Sequence, residues 1–360
     1  MSSEWKNISE ESWKKLENIV EQEMLTPEEI RDNLEVTEKG RIRQSIQNCK
    51  YVLEHDPCLR GAVCRNEMTC QIDIKKKVPW KRRGVQMTDT DMNNLSLYLE
   101  KNYGLTSDRV IAKAIDIVAN DNSFHPIIDL LESLKWDGRP RIARMLTHFF
   151  GAENPEYSGE VMKMHMLAAI SRLYEPGKKY DIMLCLVGGQ GTGKSTFFKY
   201  LAIQDEWFTD DVKRLDDKKV YEYLQGHWIV EMSEMNAVAN AKSIEETKSF
   251  LSRQKDTYRI PYERRAEDRY RQCVFCGTSN DLAFLPFDRT GNRRFGPVKV
   301  CPEKAETMIY RDEQGSREYI MQAWAEAMEI YRSGEFLLTF SLDMEDYVKS
   351  LQKDFMPEDT

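Results

Sequence analysis

The stretch Cys185-Leu186-Val187-Gly188-Gly189-Gln190-Gly191-Thr192-Gly193-Lys194-Ser195-Thr196 decides the fold. The apolar run Ile182 to Val187 has the length and character of a buried strand. Phe197, Phe198, Tyr200 and Leu201 follow it as one apolar face of a helix would. The pattern G-x-x-x-x-G-K-[ST] thus sits between a strand and a helix, the context in which it marks a phosphate site. Glycine has no Cβ, so backbone N–H groups approach a phosphate closely, and the first turn of the helix completes an anion cradle. In that chemistry Lys194 reaches the β and γ phosphates and Ser195 gives its hydroxyl to Mg²⁺. The loop Gly188, Gly189, Gln190, Gly191, Thr192, Gly193, Lys194, Ser195 and Thr196 is therefore expected to hold ATP. The alternative is a glycine-rich surface turn.

Working outward, Trp228-Ile229-Val230-Glu231-Met232-Ser233-Glu234 has the form of a second core strand ending in carboxylates. One acid at such a strand end holds Mg²⁺ and a second polarises the attacking water. Glu231 takes the metal role and Glu234 the base role, with an exchange of roles left open. Gln272-Cys273-Val274-Phe275-Cys276-Gly277-Thr278-Ser279-Asn280 is a third core strand, and Asn280 at its end is placed to orient the lytic water. Cys273 and Cys276 have metal-like spacing, but no second pair or histidine is near in sequence, which argues against zinc. In Phe284 to Phe295 a turn-rich loop carries Arg293 and Arg294, candidates to stabilise the transferred phosphoryl in their own site or a neighbour's. Between the second and third strands, basic residues alternate with aromatic and apolar ones. There Lys255, Arg259, Arg264 and Arg265 suit a hairpin that meets a nucleic-acid backbone.

The 360 residues are 41% hydrophobic and 31% charged, a globular composition large enough for two or three domains. No apolar run is long enough to span a bilayer and no signal peptide opens the chain, so no membrane partner is expected. The eight cysteines form no dense framework, as in a reducing compartment. A net charge of -8 excludes a uniformly basic nucleic-acid coat but leaves local basic clusters, among them Lys75-Lys76-Lys77 with Lys81-Arg82-Arg83.

The organisation reads as five segments. Residues 1–38 are a helical extension, with Thr26 and Pro27 marking a helix start. Residues 39–120 form a small, mainly helical domain with a short hairpin, for oligomerisation or nucleic-acid contact. Its helices are read from Leu95, Leu97, Leu99 and from Val110, Ala114, Ile117. Residues 121–180 are a helical lead-in, with a helix over 159–173 whose Met162, Met164 and Met166 are core filler. Residues 181–300 are the α/β ATPase core. Residues 301–360 are a helical tail, Ile320, Ala323, Trp324 and Ala327 recurring at helical spacing. The stop after Thr360 is abrupt, as if a further segment were missing.

The ordered set resembles the virulence-associated protein E family, a phage and prophage group of P-loop ATPases similar to superfamily 3 helicases and phage primase–helicases. The match runs from His125-Pro126 and Trp136 to Ile142, through Gly188–Thr196, Trp228–Glu234, Lys248–Ser252 and Asp256–Arg265, to Thr278–Asn280 and Thr290–Phe295. The resemblance implies an AAA+/superfamily 3 core with Gly188–Thr196 as Walker A and Glu231 and Glu234 as the Walker B acids. It implies Asn280 as the γ-phosphate sensor, Arg293 or Arg294 as an arginine entering a neighbour's site, and residues 253–265 as a pore-facing hairpin. It also implies a ring, commonly a hexamer, acting on single-stranded or forked DNA in phage or mobile-element replication. Primase or other replication proteins would be its partners, in the cytoplasm of a bacterial host. The Glu-x-x-Glu spacing departs from the adjacent acids common in the wider class, which leaves open the glutamate that activates water. Three rivals stand: a loader ATPase that does not unwind, a DNA-binding regulatory module with a structural nucleotide site, and a small-molecule kinase.

Overall fold

The computed structural model describes residues 25–212, 220–233, 241–258, 267–285 and 292–357. Contacts divide the chain into two units, Met1–Pro126 and Ile127–Thr360.

In the first unit α1 (Pro27–Asp32) begins with the expected cap. Thr26 Oγ1 accepts from Glu29 N, and Glu29 returns the bond to Thr26 N at 2.8 Å. Helices α2 (Ile46–His55), α3 (Asp89–Tyr103) and α4 (Asp108–Asp121) and the antiparallel hairpin β1 (Val63–Asn66) and β2 (Gln71–Ile74) complete it. Ile30 and Leu34 are buried in the same core as Val52, Leu53, Leu99 and Ile111. The expected extension over 1–38 lies outside the described residues up to residue 24, and from Ile30 on it shares the core of the following segment, because α1 cannot bury its apolar side alone.

The expected apolar faces of α3 and α4 also need correction. Leu95 and Leu99 are buried at helical spacing, but Leu97 between them is 61% exposed. In α4 the inward face is Ile111, Ala114, Ile115 and Val118, and Ile117 is 40% exposed. A helix advances about 100° per residue, so residues two apart face apart.

The second unit opens with α5 (Pro126–Ser133), α6 (Met145–Phe150) and α7 (Pro155–Tyr174). Helix α7 starts earlier than expected, at an Asn154 cap with Pro155 in the first turn, and it is buried almost all round. Met162, Met164 and Met166 are buried as filler. Then come β3 (Met183–Val187), α8 (Lys194–Leu201), β4 (Phe208–Thr209), α9 (Val220–Leu224), β5 (Ile229–Met232), α10 (Ala241–Leu251), β6 (Lys255–Tyr258), β7 (Glu267–Tyr270), β8 (Val274–Ser279), β9 (Phe295–Lys299), α11 (Glu313–Ser333) and α12 (Leu342–Lys353). The chain is thus mixed α/β. Segments 127–180 and 301–357 belong to the same unit as the sheet.

Five parallel strands make the sheet in the order β4-β5-β8-β3-β9. Strand β8 lies between β3 and β5, so the carboxylate strand is one strand removed from the glycine-rich loop. Alternation sorts the faces. Met183, Cys185, Val187, Val230, Met232 and Phe275 join one cluster with Phe250 and Phe355. Glu231 and Thr278 point to the other face. There the Trp228 and Trp324 ring centroids lie 4.4 Å apart with the planes tilted by 30°, and Trp324 Nε1 donates to Leu201 O at 2.9 Å.

Candidate nucleotide site

Strand β3 is buried along its whole length and delivers the chain to the loop 188–193. Gly193 ends the loop at φ +84° as the residue before α8. A Cβ there would run into Ile309 and come within 3.2 Å of the Tyr310 ring, so the position requires glycine twice over. Helix α8 then points its unpaired N-terminal N–H groups at the loop.

Lys194 is folded over the loop. Its Nζ donates to Gly188 O at 2.8 Å, Gly189 O at 2.7 Å, Thr192 Oγ1 at 3.4 Å and Asn280 Oδ1 at 3.0 Å. Burial lowers its pKa, and the Glu231 charge opposes that shift. Asn280, from the end of β8, is therefore brought onto the same ammonium as the loop carbonyls.

Glu231 is fully buried. Its Oε1 accepts from Ser195 Oγ at 2.7 Å and from Thr278 Oγ1 at 2.6 Å. Its Oε2 has no hydrogen-bond partner among the described residues. Burial raises the Glu231 pKa, the two hydroxyls oppose this, and the nearby Asp210 charge adds to the rise. A buried carboxylate with one spare oxygen, next to a helix-start serine, is a donor set of the kind Mg²⁺ takes. The residues present fit that ion.

The other expected residues are placed as follows. Arg293 is exposed and Arg294 half-buried, both just before β9. Phe295 pairs with Met183 at the start of β3, so both arginines sit at the sheet end opposite the glycine-rich loop. A five-residue strand separates the two ends by about 16 Å. Arg294 Nε donates to Ser252 Oγ at 2.8 Å and pairs with Asp181 at 3.2 Å. The reading in which these arginines serve their own site is thereby corrected: strand length keeps them out of it. Lys255 lies on the β6–β7 hairpin but is paired with Asp268. The base of that hairpin is held by Arg271, which grips Asp256 through Nε at 2.6 Å and Nη2 at 3.0 Å. Glu234, Arg259, Arg264 and Arg265 lie outside the described residues.

Thr278 was not foreseen as a partner of Glu231. Its signal lies in the register alone: Glu231 is opposite Cys276, and Thr278 is two residues on, on the same face. Cys273 and Cys276 are buried with thiol pKa values raised by burial. In the first unit Arg82, expected as part of a basic surface cluster, is turned inward onto Asp91 at 2.9 Å. No helix among the described residues is long and apolar enough to cross a membrane.

The family model of the virulence-associated protein E-like domain matches residues 131–357, more than half of the chain. Among solved structures, the chain is similar to the apo A form of the NrS-1 C-terminal region. Identity is 14%, the TM-score 0.49, and the match covers 81% of this chain and 71% of that one. It is also similar to JCV helicase, at 13% identity and TM-score 0.29, covering 71% of this chain and 79% of that one. A search of the curated proteins gives no significant match.

Proposed function

This chain belongs to the virulence-associated protein E-like family, and from that membership and the loop geometry we propose a Mg²⁺-dependent ATPase that drives a helicase or translocase on DNA. The observation that carries the proposal is the Ser195–Glu231 contact of 2.7 Å with Oε2 left over, beside a lysine that already gathers Asn280. The sheet order supports a P-loop core of the AAA+/superfamily 3 kind, with the sensor strand between the loop strand and the acid strand.

In this mechanism Lys194 and the α8 N–H groups bind the β and γ phosphates. Ser195 and Glu231 would hold Mg²⁺, which would supply charge neutralisation at the triphosphate. Asn280 orients the water for in-line attack, and Glu234 accepts its proton. Catalysis is positioning and charge stabilisation rather than covalent chemistry. Arg293 or Arg294, set at the far sheet end, would act in an adjacent subunit's site, which makes a ring, commonly a hexamer, part of the proposal. The β6–β7 hairpin would meet single-stranded or forked DNA, in phage or mobile-element replication with a primase or other replication proteins, in a bacterial cytoplasm.

Steady-state ATP hydrolysis is the test, with and without single-stranded DNA, across protein concentration, for the unaltered chain, Arg293→Ala and Arg294→Ala. The expected result is DNA stimulation, specific activity rising with concentration, and loss in one arginine variant. Flat activity per subunit, indifferent to DNA, overturns the ring motor.

A further inference from the structure

The chain after β9 comes back to the glycine-rich loop and is fixed there on three sides. The N–H groups of Glu306 and Thr307 both donate to His148 O in α6, at 3.0 and 3.2 Å. Ile309 is fully buried in contact distance of Gly193. Arg311 N closes a turn on Met308 O at 3.0 Å, and Asp312 caps α11 by accepting from Gly315 N at 3.0 Å.

Tyr310 stands between these anchors. Its ring edge lies 3.2 and 3.5 Å from where a Cβ on Gly193 would be, yet the residue is 52% exposed. Packing thus holds the ring at the lip of the loop without covering its surface. A half-exposed aromatic on a rigid turn loses little freedom when a flat partner lands on it.

We propose that Tyr310 is the stacking platform for the base of the bound nucleotide, a binding residue for its nucleoside end. This rests on the reading of the loop as an ATP site. A nucleotide held by its phosphates on the α8 N-terminus leaves its ribose and base on the flank of the loop. Gly193 is the residue before that helix, and the Tyr310 ring against Gly193 offers an aromatic surface on that flank. Stacking on an aromatic ring is sequence-tolerant because every base has a π-face, so Tyr310 favours nucleotides over bare polyphosphate rather than adenine over guanine.

The test measures dissociation constants for Mg-ATP and for Mg-tripolyphosphate, which has the phosphates and no base. It uses the full chain, Tyr310→Ala, Tyr310→Phe and Lys194→Ala, each checked for folding by thermal unfolding. Tyr310→Ala is expected to weaken ATP roughly tenfold or more while tripolyphosphate binding is unchanged. Tyr310→Phe should bind both like the unaltered chain, and Lys194→Ala should lose both. Equal weakening of both ligands by Tyr310→Ala, no weakening of ATP, or failure of Tyr310→Phe overturns the stacking role while the ATP site stands. If the unaltered chain binds neither ligand, or Lys194→Ala keeps both, the ATP-site reading itself falls and this inference with it.

Discussion

Asp91 in the first unit and Glu231 in the second are both carboxylates withdrawn from water, and they have opposite surroundings. Asp91 accepts from Trp80 Nε1 at 2.9 Å, from Arg82 Nε at 2.9 Å, and from Thr88 N and Oγ1 at 3.0 and 2.9 Å. Burial raises its pKa, but the bonds from Arg82, Trp80 and Thr88 together overcome this and hold it well below the usual carboxylate range. Glu231 has two hydroxyls, no cation within hydrogen-bond reach among the described residues, and a raised pKa. A carboxylate with every lone pair answered and a guanidinium beside it is a fastener. One left short of donors, with its charge disfavoured, has the surroundings that the proposed Mg²⁺ would complete.

The comparison is broken most directly by neutralising each acid. Glu231→Gln should lower ATP hydrolysis roughly 10²-fold or more, because the oxygen proposed to hold Mg²⁺ is gone. The same change should leave thermal unfolding unchanged or raise it by about 2 °C, since a buried, poorly matched charge is removed. Asp91→Asn should do the reverse. It removes the buried counter-charge of Arg82, which keeps its bonds to Ile74 O, Val85 O and Gln86 O, and is expected to cost the first unit about 3 kcal/mol, seen as faster hydrogen exchange in α3, with hydrolysis per folded molecule retained. Equal effects of the two changes on stability would dissolve the distinction.

Acidity sharpens the comparison further. The folded-state pKa of Asp91 lies below its unfolded value, so its contribution is present above the ordinary aspartate range and fades only as pH falls through the lowered value. The folded-state pKa of Glu231 lies above its unfolded value, so ionising it opposes folding as pH rises. Protonation as pH falls through the raised value removes the oxygen a metal needs. Mg²⁺-supported ATP binding should therefore weaken on the acid side at a pH above the ordinary glutamate range, a limb that Glu231→Gln lacks. Thr278→Val, a smaller change, deletes one hydroxyl from Glu231 and should shift this limb to higher pH, with about 1 kcal/mol lost in metal-dependent binding. The smallest effect is expected from Lys255→Ala. Its ammonium is exposed and already paired with Asp268, so salt-dependent DNA binding should change little. A large loss of DNA affinity would show that the pair opens on binding.

Local pattern carried much of this. The three core strands were legible because β3, β5 and β8 are short apolar runs ending in polar residues. The loop was legible because a strand, a glycine-rich turn and a helix opening on lysine and serine form a local pattern of fixed spacing. The helix faces of α3 and α4 were legible only approximately, since leucines at spacing two and three fit more than one inward direction until a partner is present. Helix α12 falls within the helical tail read over 301–360, but how it docks was not legible. Its Leu342 is exposed, Val348 is buried, and Gln352 donates to Asn292 O and Phe295 O at 2.8 and 2.7 Å. A polar residue bonding to distant carbonyls leaves no mark in hydrophobic periodicity.

The sequence by itself determined the glycine-rich loop, its lysine and serine, and the acid and amide that end two strands, because spacing along one chain suffices to specify them. Tertiary structure alone decided that β8 separates β3 from β5 and that Thr278 reaches Glu231. It also decided that Arg294 belongs to the far sheet end with Asp181 and that Tyr310 lies against Gly193. Those pairings join residues tens to more than a hundred positions apart. They follow from strand order and register, which arise from packing two helical layers on a twisted sheet, not from any local repeat.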